Sequence, residues 1–180
     1  DKGRLALPAR LRASLGEQVY LARGRHRCVN VVPADVFVAE AMRMRDRVDR
    51  GELDENVLRG VVSSAALVTL DRQGRVGIEE HLRSYAGIAL GSTVKVTGAV
   101  DRLEIWDAVR YELHLLLEAF VDYEALWITW RHRHIQMVER TIGMKMGTGG
   151  SSGAGYLRQT LTPRFFPELF AVRTELGTPV

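Results

Sequence analysis

Apolar residues recur with a helical beat in the last third of the chain and with a strand beat in much of what precedes it. From Leu113 onward, Leu116, Phe120, Tyr123, Trp127, Trp130, His134 and Met137 follow a 4-3-4-3-4-3 spacing. That rhythm places all seven on one face of a helix ending near Gly143. Beyond it, Tyr156–Leu161 continues helical until Pro163, and Phe165–Phe170 opens a final helix. Earlier, short segments such as Val19-Tyr20-Leu21, Val29–Val32, Val94–Val96 and Leu103–Trp106 read as strands. Between them residues 36–66 read as helical, and Gly51 is expected to break that stretch into two helices.

The strand-rich part repeats itself. Lys2-Gly3-Arg4-Leu5-Ala6-Leu7 reappears as Gln73-Gly74-Arg75-Val76-Gly77-Ile78, and Leu11-Arg12 and Gly16 as Leu82-Arg83 and Gly87, all at an offset of 71. Val19–Leu21 then aligns with Val94–Val96, and Val29–Val32 with Leu103–Trp106. The offset drifts by a few residues, as loops do between two copies. Each copy follows one grammar: a Gly-Arg turn, a short alternating segment, a polar helical turn, a strand, a loop and a strand. Gly3 and Gly74 are expected to supply tight or positive-φ positions that present the arginine behind them.

Composition narrows the classes. An apolar content of 46% argues against wholesale disorder, and 180 residues suffice for one compact domain or two small ones. No apolar run reaches membrane-spanning length, so neither a membrane span nor a secretory leader is expected. A chain starting at Asp1 rather than Met is expected to lack an N-terminal piece. The lone Cys28 has no partner for an internal disulfide, which fits a reducing cytoplasm. Residues 1–27 carry seven basic side chains (Lys2, Arg4, Arg10, Arg12, Arg23, Arg25 and Arg27) against Asp1 and Glu17. Of the 25 basic residues, 22 are arginine, the better fork for phosphates and guanine edges. A solvated basic face accounts for the same bias.

Four motifs in order, K-G-R-L-A-L-P-A-R-L-R at 2–12, L-D-R-Q-G-R at 70–75, L-R-S-Y-A-G at 82–87 and G-A-V-D-R-L-E-I-W-D at 98–107, resemble the MraZ family of AbrB-type DNA-binding regulators. The resemblance covers nearly all of residues 1–112. It implies a small β-barrel from two swapped-hairpin-like halves, about 1–35 and 70–112, with helices inserted. It also implies assembly into a ring, promoter DNA with repeated boxes as partner, no cofactor, and a cytoplasmic, nucleoid-associated place. The family's D-x-x-x-R element is present as Asp71 and Arg75; in the first copy the matching aspartate position falls just before Asp1. Lys2, Arg4, Arg10, Asp71 and Arg75 are the candidate DNA-binding residues, with Arg4 and Arg75 reaching guanine or phosphate. Asp71 would fix its arginine by a charge-assisted pair; a plain turn-stabilising ion pair is the other reading of the two residues.

A different resemblance starts at about residue 113. W-R-H-R-H-I-Q-M-V-E-R-T-I-G at 130–143, followed by G-T-G-G-S-S-G-A-G-Y-L-R at 147–158, resembles the haem-contacting part of tryptophan 2,3-dioxygenase. By spacing alone His134 reads as a core histidine; the frame around it implies the axial iron ligand of a haem, neutral imidazole being the ligating form. The glycine-serine run reads by composition as a flexible linker. In the family it orders over substrate, with Thr148 on the amino-acid portion of L-tryptophan. The family's distal F-x-x-x-H-Q-x-x-E-L segment does not occur in this sequence, so turnover by this chain alone is not expected.

The fold expected is therefore α+β: a duplicated AbrB/MraZ-like small β-barrel with inserted helices over 1–112, then an all-α haem-binding segment over 113–180. A MraZ-type transcriptional regulator is the leading functional reading. A tryptophan 2,3-dioxygenase fragment whose N-terminal part has been replaced is the alternative, and an artificial chimera with no working function is the third.

Overall fold

The computed structural model describes residues 3–147 and 149–177, with side chains through 172. The chain divides into two compact units, residues 1–112 and 113–180.

The first unit is mixed α/β. Its elements are β1 (Arg4–Ala6), α1 (Ala9–Arg12), β2 (Gln18–Arg23), a 3-10 turn at Arg25–Arg27, β3 (Val29–Pro33), α2 (Ala34–Asp49), α3 (Glu55–Ser63), β4 (Ala66–Thr69), β5 (Arg75–Gly77), α4 (Glu80–Ala86), β6 (Val94–Gly98) and β7 (Leu103–Asp107). Five strands form one antiparallel sheet in the order β4-β2-β3-β7-β6, and β1 pairs with β5 in a separate two-stranded ribbon. The expected barrel is not closed. Strands β4 and β6 are left as edges, because the ribbon strands pair with each other instead of joining the sheet ends.

Alternation along the strands explains how both sheet faces become covered. Val19 and Leu21 of β2 and Val29 and Val31 of β3 point to one side, into a core with Leu7, Leu15, Val76, Ile78, Leu82, Ala86, Ile88, Leu103 and Ile105. Tyr20, Ala22 and Val32 point to the other, where Phe37 of α2 packs and stacks on Tyr20 at 4.2 Å between ring centroids. A one-residue slip in β2 would exchange the two sets, so the register is specified by burial on both faces.

The helices α2 and α3 are separated where Gly51 adopts φ 71°, a left-handed helix stop. Asp54 then caps α3 by accepting a hydrogen bond from the Asn56 amide at 2.7 Å.

A long helix, α5 (Ala108–Ile142), follows β7 directly. It begins earlier than the apolar rhythm indicates, because the Asp107 carboxylate accepts from the Arg110 amide (3.1 Å) and caps the helix there. In the second unit α5 is followed by α6 (Ala154–Gln159) and α7 (Pro167–Gly177). Two α5 side chains seven residues apart hold the segment before α7. Arg131 donates to the carbonyls of Thr160 and Pro163, and the buried Glu124 carboxylate accepts from the amides of Phe165 (3.2 Å) and Phe166 (3.1 Å).

Candidate functional site

In the first unit the turn between β4 and β5 is built around Asp71. One carboxylate oxygen accepts from the backbone amides of Gln73 and Arg75, both at 2.9 Å, and the other accepts from Arg75 Nε at 2.6 Å. The Asp71 carbonyl accepts from the Gly74 amide at 2.7 Å. Such a turn needs Gly74 at φ 71°, and Arg12 lies so close that any Cβ there would collide with its guanidinium. Arg12 in turn donates to the Gln73 carbonyl at 2.9 Å. The amide and then the guanidinium of Arg75 hold the Asp71 carboxyl below the ordinary aspartate range, against a smaller opposing effect of desolvation.

Ribbon pairing sets where the arginines point. Arg4 lies opposite Gly77 and Ala6 opposite Arg75, so Arg4 and Arg75 share one face, while Leu5 and Val76 turn inward. The two other residues on that face, Ala6 and Gly77, are small, and Arg75 reaches over it with its Nε held by Asp71. Arg4 is exposed and Arg75 half-exposed. Arg10 stands exposed on α1 and makes no ion pair with Asp71 among the described residues. Lys2 lies outside the described residues. A shallow groove bordered by Arg12, Glu17, Thr69, Asp71, Arg72 and Gly74 runs beside the turn.

Arg12 is the residue that sequence reasoning missed here. In the sequence it stands as one basic charge among seven and as part of the repeat and motif around Leu11-Arg12, with no site role of its own, whereas the fold uses it to brace the Asp71–Arg75 turn. The signal available was its placement in the P-A-R-L-R helical turn, facing a glycine that must stay bare.

In the second unit His134 lies on the α5 stripe. Its imidazole is half-buried and stacked flat on Trp130, with centroids 5.1 Å apart and planes 4° from parallel. Trp130 stacks in turn on Trp127 at 4.9 Å. The stripe is not a covered core: Leu116, Tyr123, Trp130 and Met137 are each at least half exposed. Neighbouring Arg133, Gln136, Met137, Glu139, Arg140 and Thr141 border an open groove. Thr148 lies outside the described residues. Among the described residues no cluster of three or more His, Cys, Asp or Glu side chains could hold a bare metal ion, and no helix is long and apolar enough to cross a membrane.

Comparison with known proteins divides along the chain. The family model for tryptophan 2,3-dioxygenase matches residues 86–176, a span that starts inside the first unit. Tryptophan 2,3-dioxygenase of Arthrobacter sp. (strain FB24) is 62% identical over 60 residues, covering 33% of this chain and 21% of that protein. Its counterpart in Kineococcus radiotolerans is 55% identical over 81 residues, 44% of this chain and 28% of its own length. The chain thus spans only about a quarter of these dioxygenases. The transcriptional regulator MraZ of Kocuria rhizophila is 40% identical over 115 residues, 64% of this chain and 79% of the regulator. The chain is therefore a composite that belongs to two families, that of MraZ and that of tryptophan 2,3-dioxygenase.

Proposed function

We propose that residues 1–112 form a sequence-specific DNA-binding module of a MraZ-type transcriptional regulator, acting on promoter DNA with repeated boxes in a cytoplasmic, nucleoid-associated setting. The observation that carries this reading is the clamp on Arg75: a carboxylate and a bare glycine hold its guanidinium on an open face beside Arg4. A preorganised arginine loses less freedom on binding and can present both donors to guanine O6 and N7. An internal duplication belongs to this reading. The element orders β1-α1-β2-β3 and β5-α4-β6-β7 match, and Gly3 (φ 73°) and Gly74 (φ 71°) occupy corresponding turns, which supports it.

The test is fluorescence anisotropy with promoter fragments and scrambled duplexes. Arg75→Ala is expected to weaken binding to the preferred sequence by about 1–3 kcal/mol per site while leaving scrambled DNA much less affected. Equal losses on both duplexes would reduce Arg75 to a phosphate contact.

A second reading concerns the dioxygenase-like part, in which His134 would be the axial ligand of a haem and Thr148 would meet the amino-acid portion of L-tryptophan. A half-buried imidazole on an apolar face with Trp130 and Met137 fits one side of such a group. Haem, when bound, would supply the iron centre for dioxygen chemistry; the chain's own residues would provide the ligand and one apolar wall. Haem titration followed at the Soret band is expected to give weak, exchangeable binding that His134→Ala abolishes and His132→Ala leaves intact. Identical spectra for wild type and His134→Ala would remove the ligand assignment.

A further inference from the structure

The hairpin joining β2 to β3 carries a concentration of charge that the Arg4–Arg75 face does not use. Arg23, Arg25, His26 and Arg27 are all exposed at its tip. The guanidinium carbons of Arg23 and Arg27 lie 5.1 and 5.2 Å from the centroid of the Tyr85 ring, on α4, and the Tyr85 hydroxyl donates to the Gly24 carbonyl at 2.7 Å. Two non-glycine residues, His26 at φ 60° and Arg27 at φ 64°, take left-handed backbone, a conformation that side chains resist. The tip holds that shape through the Gly24 amide on the Cys28 carbonyl (2.9 Å) and the Cys28 thiol on the Arg25 carbonyl (3.1 Å). Gly24 is obligatory, since a Cβ there would meet the Cys28 sulfur at 2.4 Å.

Among the described residues, Arg23, Arg25 and Arg27 form no ion pair with a carboxylate. The other hairpin of the same sheet, β6–β7, is neutralised: its Arg102 pairs with Asp101 at 2.8 Å and with Glu40 at 3.0 Å. Gathering like charges on a strained turn is unfavourable by itself and becomes favourable when a polyanion neutralises them. Guanidinium forks match phosphate oxygens, and the tyrosine ring beneath two of them restricts their orientation.

We propose that the Arg23–Arg27 tip together with Tyr85 is a second nucleic-acid surface that grips the sugar-phosphate backbone, distinct from the Arg4–Arg75 face. It rests on the DNA-binding reading of the first unit, and adds affinity without sequence preference.

The experiment measures binding of the full chain to promoter and scrambled duplexes over a range of salt concentrations. Every phosphate left without its arginine lowers the slope of log K against log salt by about 0.9. The R23Q/R25Q/R27Q variant is expected to flatten that slope by roughly 2 to 3 on both duplexes, with the ratio of the two affinities unchanged. R23K/R25K/R27K, which keeps the charges, is expected to retain the wild-type slope. An unchanged slope in the glutamine variant overturns the proposal, as does an equal loss in the lysine variant. If wild type binds both duplexes equally and the glutamine variant still flattens the slope, the sequence-specific reading fails and this surface stands. If wild type binds no duplex even at low salt, both fall.

Discussion

At the scale of single residues, Asp71 does more than neutralise an arginine. Its two oxygens organise two backbone amides and one guanidinium, so the charge shapes the turn as well as pairing across it. Because its folded pKa lies below the unfolded value of about 3.9, its contribution to stability is fully present above that value. It is lost as pH falls through the lower folded value. Asp71→Asn should therefore lower the thermal midpoint at neutral pH, and the gap to wild type should close on acidification below about pH 4. A gap that stays constant with pH would show that the charge contributes nothing. Cys28 titrates in the opposite sense: burial chiefly pushes its thiol up to about 12, so it stays protonated and unreactive at neutral pH.

At the scale of elements, the clearest dependence is that of the segment entering α7 on the buried carboxylate of Glu124. Glu124→Ala would take the shared acceptor from the Phe165 and Phe166 amides, whose bonds are only partly buried, so the loss should lie near the value of an ordinary hydrogen bond, about 1 kcal/mol. Hydrogen exchange at those two amides should accelerate in the variant while the strand amides of Leu21 and Val31 stay protected. Unchanged exchange at Phe165 and Phe166 would show that Glu124 is not what holds them. Much of the element layout was legible beforehand. The break at Gly51 and the end of the long helix near Gly143 follow from local rules that act within one turn. Glu124 was not legible, because it sits off the apolar stripe and reads as solvated until residues 165 and 166 fold back over it. Nor was the sheet order: periodicity says which way Val31 and Leu103 point, but the β3–β7 pairing joins residues far apart in sequence, and no local signal selects that partner.

At the scale of the whole molecule, the open sheet bears on assembly. Among the described residues β4 and β6 end the five-stranded sheet with no further strand paired to them; such edges invite further pairing. Together with the avidity that repeated subunits gain on repeated boxes, this supports a ring of subunits. Light scattering of the full 20.2 kDa chain is expected to report a multiple of that mass at micromolar concentration. A monomer there would remove the ring. The expected barrel belonged to this scale too. It failed for a reason composition does not carry, namely that β1 and β5 satisfy one another and leave the sheet ends free.

The stacking of His134, Trp130 and Trp127 has an optical consequence. Two indoles whose rings lie 4.9 Å apart, with planes 25° from parallel, are close enough for their electronic transitions to couple. The imidazole lies flat against the outer one of the pair. A ligand takes the imidazole through a nitrogen in the ring plane and so changes the charge distribution of the group lying against the Trp130 face. The second unit thus carries its own chromophore pair, and near-ultraviolet circular dichroism would register occupancy at His134 without any label being added.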